Sequence, residues 1–220
     1  MIITKILTKI ALKIKSEYYT WKYSDGNGKI KFTHIGIKLL LRKAHDGKLE
    51  LNGNLILDSS TRTPGIVTIN IGPNGRLAIF GDFCLGENCK ITVSENALLT
   101  IGGKQKESAS GITCDSIIAC NNRIDIGSDM ICSWNVFITD CNWHTIFKDG
   151  VEKPVTSPVS IGNHNWIGSN VIIGPGTILG DECIVSAFTK LSNSSYPEKS
   201  TIGGIIPQII STKLTWARDF

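Results

Sequence analysis

Between residues 158 and 193 the chain reads "PVSIGNHNWIGSNVIIGPGTILGDECIVSAFTKLSN", and an aliphatic residue returns every six positions. Ile161, Ile167, Ile173, Leu179, Val185 and Leu191 hold the phase, each followed by a small residue: Gly162, Gly168, Gly174, Gly180, Ser186 and Ser192. A helix repeats near 3.6 residues and a strand at 2, so a helical face does not give this period. Six residues make a short strand, a corner and a turn onto a new face, which is the signature of a parallel β-helix. The aliphatic residue is expected inside a shared core. The small residue is expected to let the backbone turn a tight corner.

The same spacing runs earlier through Ile71, Leu77, Phe83 and Cys89, and again through Cys114, Cys120, Ile126, Cys132 and Ile138. Continued once more it lands on His144, a polar residue in a core phase, and there it breaks. Ile161 lies 17 residues beyond. The intervening "TIFKDGVEKPVTSP" reads as a loop over 145–160, thrown out from a corner on the side where such insertions often build a binding face. A second loop is expected at "GGKQKESASG" (102–111). The tail from 199 to 220 reads as a cap, with a short helix or strand from about Ile209, because open β-helix ends expose edges. The organisation is therefore a helix over 1–20, a β-helix over 21–198 and a cap over 199–220, in an all-β fold.

The N-terminal "MIITKILTKIALKIK" places Ile2, Ile6, Ile10 and Ile14 in one row and Lys5, Lys9 and Lys13 in a parallel one. This predicts a basic amphipathic helix. Its apolar row would pack on the body or a neighbouring subunit, or attach weakly to an anionic membrane surface. Lysine every few residues excludes a membrane-spanning segment or a signal-peptide core.

Composition changes this picture little. The 220 residues include 22 glycines and two methionines, which suits turn-rich β structure, and the net charge of +4 gives no nucleic-acid surface. Of seven cysteines, those at 89, 114, 120 and 132 fall in the core phase, Cys84 follows it, and Cys141 and Cys183 are off it. No CxxC pair exists. The expectation is small apolar core residues in a reducing, cytoplasmic compartment.

His144 is the residue with the most chemistry. An imidazole titrating near pH 6.5 can take a proton from a hydroxyl, given an acceptor on its other nitrogen, for which Asp140 and Glu152 are candidates. Trp166 could stack on a sugar ring or wall off an acyl group, or pack under the 145–160 loop. His164, at a repeat corner, is expected to face solvent. With only two histidines in the repeats, 20 residues apart, no metal site is expected.

The stretches "WNVFITDCNWH" (134–144), "PVSIGNHNWIGSNVIIGPGTILGDECIV" (158–185) and "SYPEKSTIGGIIPQIISTKLTWARDF" (195–220) resemble the hexapeptide-repeat acyltransferases. The nearest likeness is to sugar O-acetyltransferases of the maltose and galactoside group and their capsule and O-antigen relatives. The resemblance implies a left-handed β-helix and a homotrimer with sites between subunits. Acetyl-CoA would lie along the stacked corners at Gly168, Ser169, Gly174, Ser186, Ala187, Ser192 and Asn193. It makes His144 the general base, Glu152 or Asp140 its orienting acid, and Asn135, Asn142, Trp143 and Trp166 the acceptor contacts. Two departures fall on the cofactor track: Phe188 in "VSAFTKL" stands where a glycine is usual, and "GGIIPQ" replaces the usual "GNPA". Three functions follow: O-acetylation of a sugar in surface-polysaccharide assembly, N-acetylation of an amino sugar nucleotide, or a catalytically inactive trimer that binds a partner.

Overall fold

In the computed structural model the described residues are 2–59, 64–105, 110–204, 206–213 and 215–217. The chain is a left-handed parallel β-helix, and among the described residues its one helix is Ile2–Tyr23, at the start. Its first face runs from strand Ile30–Phe32 to Ser200–Gly203, its second from Lys38–Lys43 to Lys190–Leu191, and its third from Lys48–Leu51 to Ser195–Tyr196.

The six-residue period is one face, and three faces make a coil. Ile161 pairs with Leu179, Ile167 with Val185 and Ile173 with Leu191, each eighteen residues on. These side chains stack in the core, none more than 2% exposed. Earlier coils are longer: Leu49 pairs with Leu77, Leu77 with Leu99 and Ile118 with Ile138. The early phase still falls inside, since Ile71, Leu77, Phe83 and Cys89 are all buried. A strand alternates its faces, so adding residues in pairs lengthens a coil without turning its core outward. The five in-phase later positions Cys114, Cys120, Ile126, Cys132 and Ile138 are buried too, as are Cys141 and Cys183. No cysteine forms a disulfide. Burial pushes the Cys89, Cys114 and Cys120 thiols up to about 12 and raises Cys132 and Cys183 as well.

The corners differ from expectation in one respect. The small residues after the aliphatic positions are required by contact rather than by torsion. A Cβ on Gly168 would sit 2.8 Å from the Ala187 amide nitrogen and the Val185 oxygen of the next coil. The left-handed backbone comes two residues later, at His164, Asn170, Gly176, Glu182 and Phe188, with φ of 55°, 58°, 70°, 59° and 63°. This is a second six-residue phase. Asn tolerates that conformation and a phenylalanine does so only at a cost.

The broken phase is explained by where the chain leaves the prism. Ile126 pairs with Ile161, thirty-five residues on, because one corner carries the insertion. Its neck closes through Ser157 N–H to Asp140 O (2.8 Å) and Asn142 N–H to Val155 O (2.9 Å). Within it lies an antiparallel hairpin, Ile146–Lys148 with Val151–Lys153, turned at Asp149 and Gly150, both left-handed. The loop expected at 102–111 begins as strand, Leu98–Gly103, and resumes as strand at Gly111; residues 106–109 lie outside the described residues.

Both ends are capped. At the start, Leu12, Tyr19 and Tyr23 pack against the core, with the Tyr19 ring 5.1 Å from that of Phe32. At the end, strand Gln208–Thr212 pairs antiparallel with Ser200–Gly203 and stops the parallel stacking. The cap near Ile209 is thus a strand.

Candidate active site

The site is built on the corner between the second and third faces. Asp140 ends the second face and is fully buried. Its carboxylate accepts the backbone N–H of Asn121, Asn122 and Arg123, at 2.8, 2.7 and 2.6 Å. These are the corner amides of the preceding coil, so Asp140 locks the point from which the insertion departs. Cys141 N–H then bonds Thr139 Oγ1, and Trp143 N–H bonds Cys141 Sγ. Trp143 is left-handed, with φ of 60°. Its indole stacks on Phe137 of the second face, rings parallel within 5° and 5.9 Å apart.

That turn explains His144. The phase predicts a core position, and the structure overturns it: His144 is exposed on the outside of the prism. The positive φ at Trp143 reverses the chain before the sixth residue can enter the core. Among the described residues His144 has no hydrogen-bond partner, and its side chain is exposed. Asp140 makes no hydrogen bond to His144; both of its carboxylate oxygens accept backbone amides. Glu152 is exposed on the return strand of the hairpin, opposite Phe147, and makes no hydrogen bond among the described residues.

The other candidates divide between the two edges of the second face. On the edge it shares with the first face stand Asn135, Gly168, Ser169, Ser186 and Ala187. Asn135 is left-handed, and its Nδ2 donates to Asn170 Oδ1 at 2.7 Å; Phe188 N–H donates to Ser169 O in the next coil. On the edge that carries the insertion stand Gly174, Ser192 and Asn193, where Gly176 N–H donates to Ser157 O and Ser192 Oγ to Pro175 O. Between the edges runs an outward row of Ile117, Phe137, Ile172 and Lys190, paired in that order. Asn142 and Trp143 lie on the neck, both exposed. The expected cofactor residues therefore form two columns flanking one strip, apolar up to Lys190, rather than one continuous track. His144 hangs beside the second column.

Trp166 is elsewhere. It stands on the first face, 6.3 Å from the buried Trp216 of the tail, and is not under the insertion. His164 is also not free in solvent. Its ring stacks on Trp216 at 4.1 Å, and Trp216 Nε1–H donates to His164 O at 2.8 Å. These two residues pin the C-terminal segment. No spacing marks Phe137, whose ring seats Trp143; the Asp149–Gly150 turn does carry a signal, since Asp-Gly between short alternating runs marks a hairpin. Among the described residues no group of three histidine, cysteine or acidic side chains could hold a metal.

A repeated corner of this kind, with a histidine-bearing insertion, invites comparison with known proteins. Residues 158–193 match the bacterial transferase hexapeptide family, six repeats. The chain is similar to the "Putative lipopolysaccharide biosynthesis O-acetyl transferase WbbJ" of Escherichia coli (strain K12), 36% identical over 104 residues, 42% of this chain and 52% of WbbJ. The galactoside O-acetyltransferase of the same organism is 33% identical over 83 residues, 36% of this chain and 40% of that protein. The chain thus spans about half the length, or less, of the curated relatives it matches. Two solved structures share the fold. The polysialic acid O-acetyltransferase OatWY superposes with a TM-score of 0.53 at 19% identity, over 90% of this chain and 92% of its own. The polySia-specific acetyltransferase NeuO gives 0.52 at 18%, over 89% and 88%.

Proposed function

We propose that the protein is an acetyl-CoA-dependent O-acetyltransferase acting on a sugar hydroxyl in surface-polysaccharide assembly. The observation that carries this reading is the placement of His144. It is the imidazole outside the prism at the corner where the hexapeptide coil is interrupted, with no internal partner to occupy it. The O-acetyltransferase names of the relatives support the class of reaction.

In this reading His144 takes the proton of an acceptor hydroxyl as its oxygen attacks the thioester carbonyl carbon. A corner backbone N–H steadies the oxyanion. The carbon–sulfur bond then breaks, and the imidazolium returns the proton to the thiolate, releasing CoA. Glu152 orients the imidazole, because Asp140 is committed to the corner amides. Gly168, Ser169, Ser186 and Ala187 on one edge, and Gly174, Ser192 and Asn193 on the other, hold the donor. Asn135, Asn142 and Trp143 meet the acceptor. The exposed apolar side chains of the hairpin, Ile146, Phe147 and Val151, pack on a neighbouring subunit of a homotrimer. The enzyme works in the cytoplasm, where acetyl-CoA is made.

The reading is tested by incubating the protein with radiolabelled acetyl-CoA and a panel of sugar acceptors. Label should pass to an acceptor in a bond cleaved by mild hydroxylamine. Label held in a hydroxylamine-resistant amide would make it an N-acetyltransferase, and no transfer with any acceptor would leave a binding module. Phe188 does not by itself favour the inactive form. Its backbone keeps the left-handed corner, so only what projects outward differs from glycine.

A further inference from the structure

The N-terminal helix has two apolar faces, and the chain uses one. Leu12, Tyr19 and Tyr23 pack on the core, Thr20 Oγ1 accepts the Ile30 N–H, Ser16 Oγ accepts that of Phe32, and Lys15 Nζ reaches the carbonyls of Ile35 and Ile37. At about 100° per residue these side chains fill one side of the helix. The opposite side carries Ile6, Leu7, Ile10, Ile14, Tyr18 and Trp21, all exposed, Ile14 to 64% and Trp21 to 82%. Of the places open to the isoleucine row, namely the body, a neighbouring subunit or a membrane surface, Ile6, Ile10 and Ile14 do not take the body. Every residue from Thr4 to Ala11 is exposed, so two turns of helix overhang the first coil. These overhanging turns have no packing of their own to hold their apolar stripe, and tertiary packing is what stabilises most protein helices.

The geometry points to an anionic lipid bilayer as what covers that stripe. Lys9 and Lys13 run along one edge of the apolar stripe and Lys22 along the other, where their stems can lie on the surface while the ammonium groups meet lipid phosphates. Tyr18 and Trp21 are the residue types that settle at the boundary of headgroup and hydrocarbon. The helix has no acidic residue in its first turn; Glu17, on the stripe side, is neutralised by Lys29 at 2.8 Å. Charge complementarity decides between occupants. Two copies of this face laid together would oppose lysine rows whose one nearby acid, Glu17, is already paired with Lys29, whereas an anionic surface satisfies every edge. Among the described residues no helix is long and apolar enough to cross a membrane, so this one lies in the interface with the start of the prism against it. The inference does not depend on the acyl-transfer reading.

Flotation of the full chain on density gradients tests it, using vesicles of phosphatidylcholine alone or with phosphatidylglycerol. The wild type should float with the anionic vesicles only and be released by high salt. Lys9→Gln/Lys13→Gln should lower partitioning about thirtyfold, the factor for two lysines at such a surface. Ile6→Gln/Ile10→Gln/Ile14→Gln, at exposed positions, should abolish flotation without changing the thermal melt; if it does not fold, the lysine pair and the salt series still decide. Failure of the wild type to float, equal flotation with neutral vesicles, or flotation undiminished by the substitutions would overturn the inference. So would a change of oligomeric mass by light scattering in the triple isoleucine variant of a chain that binds no vesicle, which would give the face to a second copy.

Discussion

Replacing Asp140 by asparagine separates the scaffold from the chemistry. The carboxylate accepts three backbone amides: one on Oδ1 from Asn121, and two on Oδ2 from Asn122 and Arg123. An asparagine keeps one accepting oxygen and turns an NH2 group toward amides that can only donate. At least one bond is lost and a donor faces a donor, inside a residue with no exposure. Hydrogen bonds to a charged group contribute about 1.5–3 kcal/mol each, and an unsatisfied buried donor costs about 1–3 kcal/mol. Those amides are partly buried, so the lower half of each range applies, and Asp140→Asn should destabilise the fold by about 3–4 kcal/mol. For a chain of this length that is a fall of roughly 10 °C in Tm, at about 2–4 °C per kcal/mol. Thermal melts followed by far-ultraviolet circular dichroism would read it. A shift within about 2 °C, together with a large loss of turnover, would refute the assignment and return Asp140 to the imidazole.

Glu152→Gln should do the reverse, leaving the melt unchanged and lowering kcat on the order of ten- to a hundredfold by loosening the imidazole; an unchanged kcat would remove Glu152 from the site. Phe188→Asn should stabilise the protein by about 1 kcal/mol, since asparagine accepts φ of 63° more readily and the phenyl ring is 79% exposed; a lower Tm would mean the ring packs on something outside the chain. Because Cys89, Cys114 and Cys120 are held up to about 12, they stay protonated at pH 8 and should resist iodoacetamide in the native state, with the half-buried Cys84 labelled first by mass spectrometry. The sign for stability follows: above pH 9 the unfolded chain ionises these thiols and the folded one does not, so stability should fall from pH 9 toward 12. A flat urea midpoint across that window would contradict it.

The core was legible in the sequence because stacking eighteen-residue coils puts identical demands on residues six apart. Cysteine could fill that phase since it is small and apolar enough. The corner torsions were not legible, because Asn170, Gly176, Glu182 and Phe188 share a φ and no side-chain chemistry. His144 was read as a candidate base for its residue type, and its escape from the core depended on one left-handed residue, Trp143. Asp140 and Glu152 could not be ranked from spacing, as the amides that occupy Asp140 belong to the coil below. Trp166 and His164 meet Trp216 about fifty residues away, a contact that no local pattern encodes. The packing side of the helix was not legible, since its isoleucines repeat more cleanly than the tyrosines that actually pack.

The central claim is that the outward imidazole at the interrupted corner moves the proton in acyl transfer. Thiol release from acetyl-CoA with the best sugar acceptor, compared between wild type and His144→Ala, reads this most directly. Because the side chain is exposed and unpartnered, the variant should melt like the wild type while kcat/KM falls by about 10²–10⁴. Equal rates of CoA release from the two proteins would contradict it.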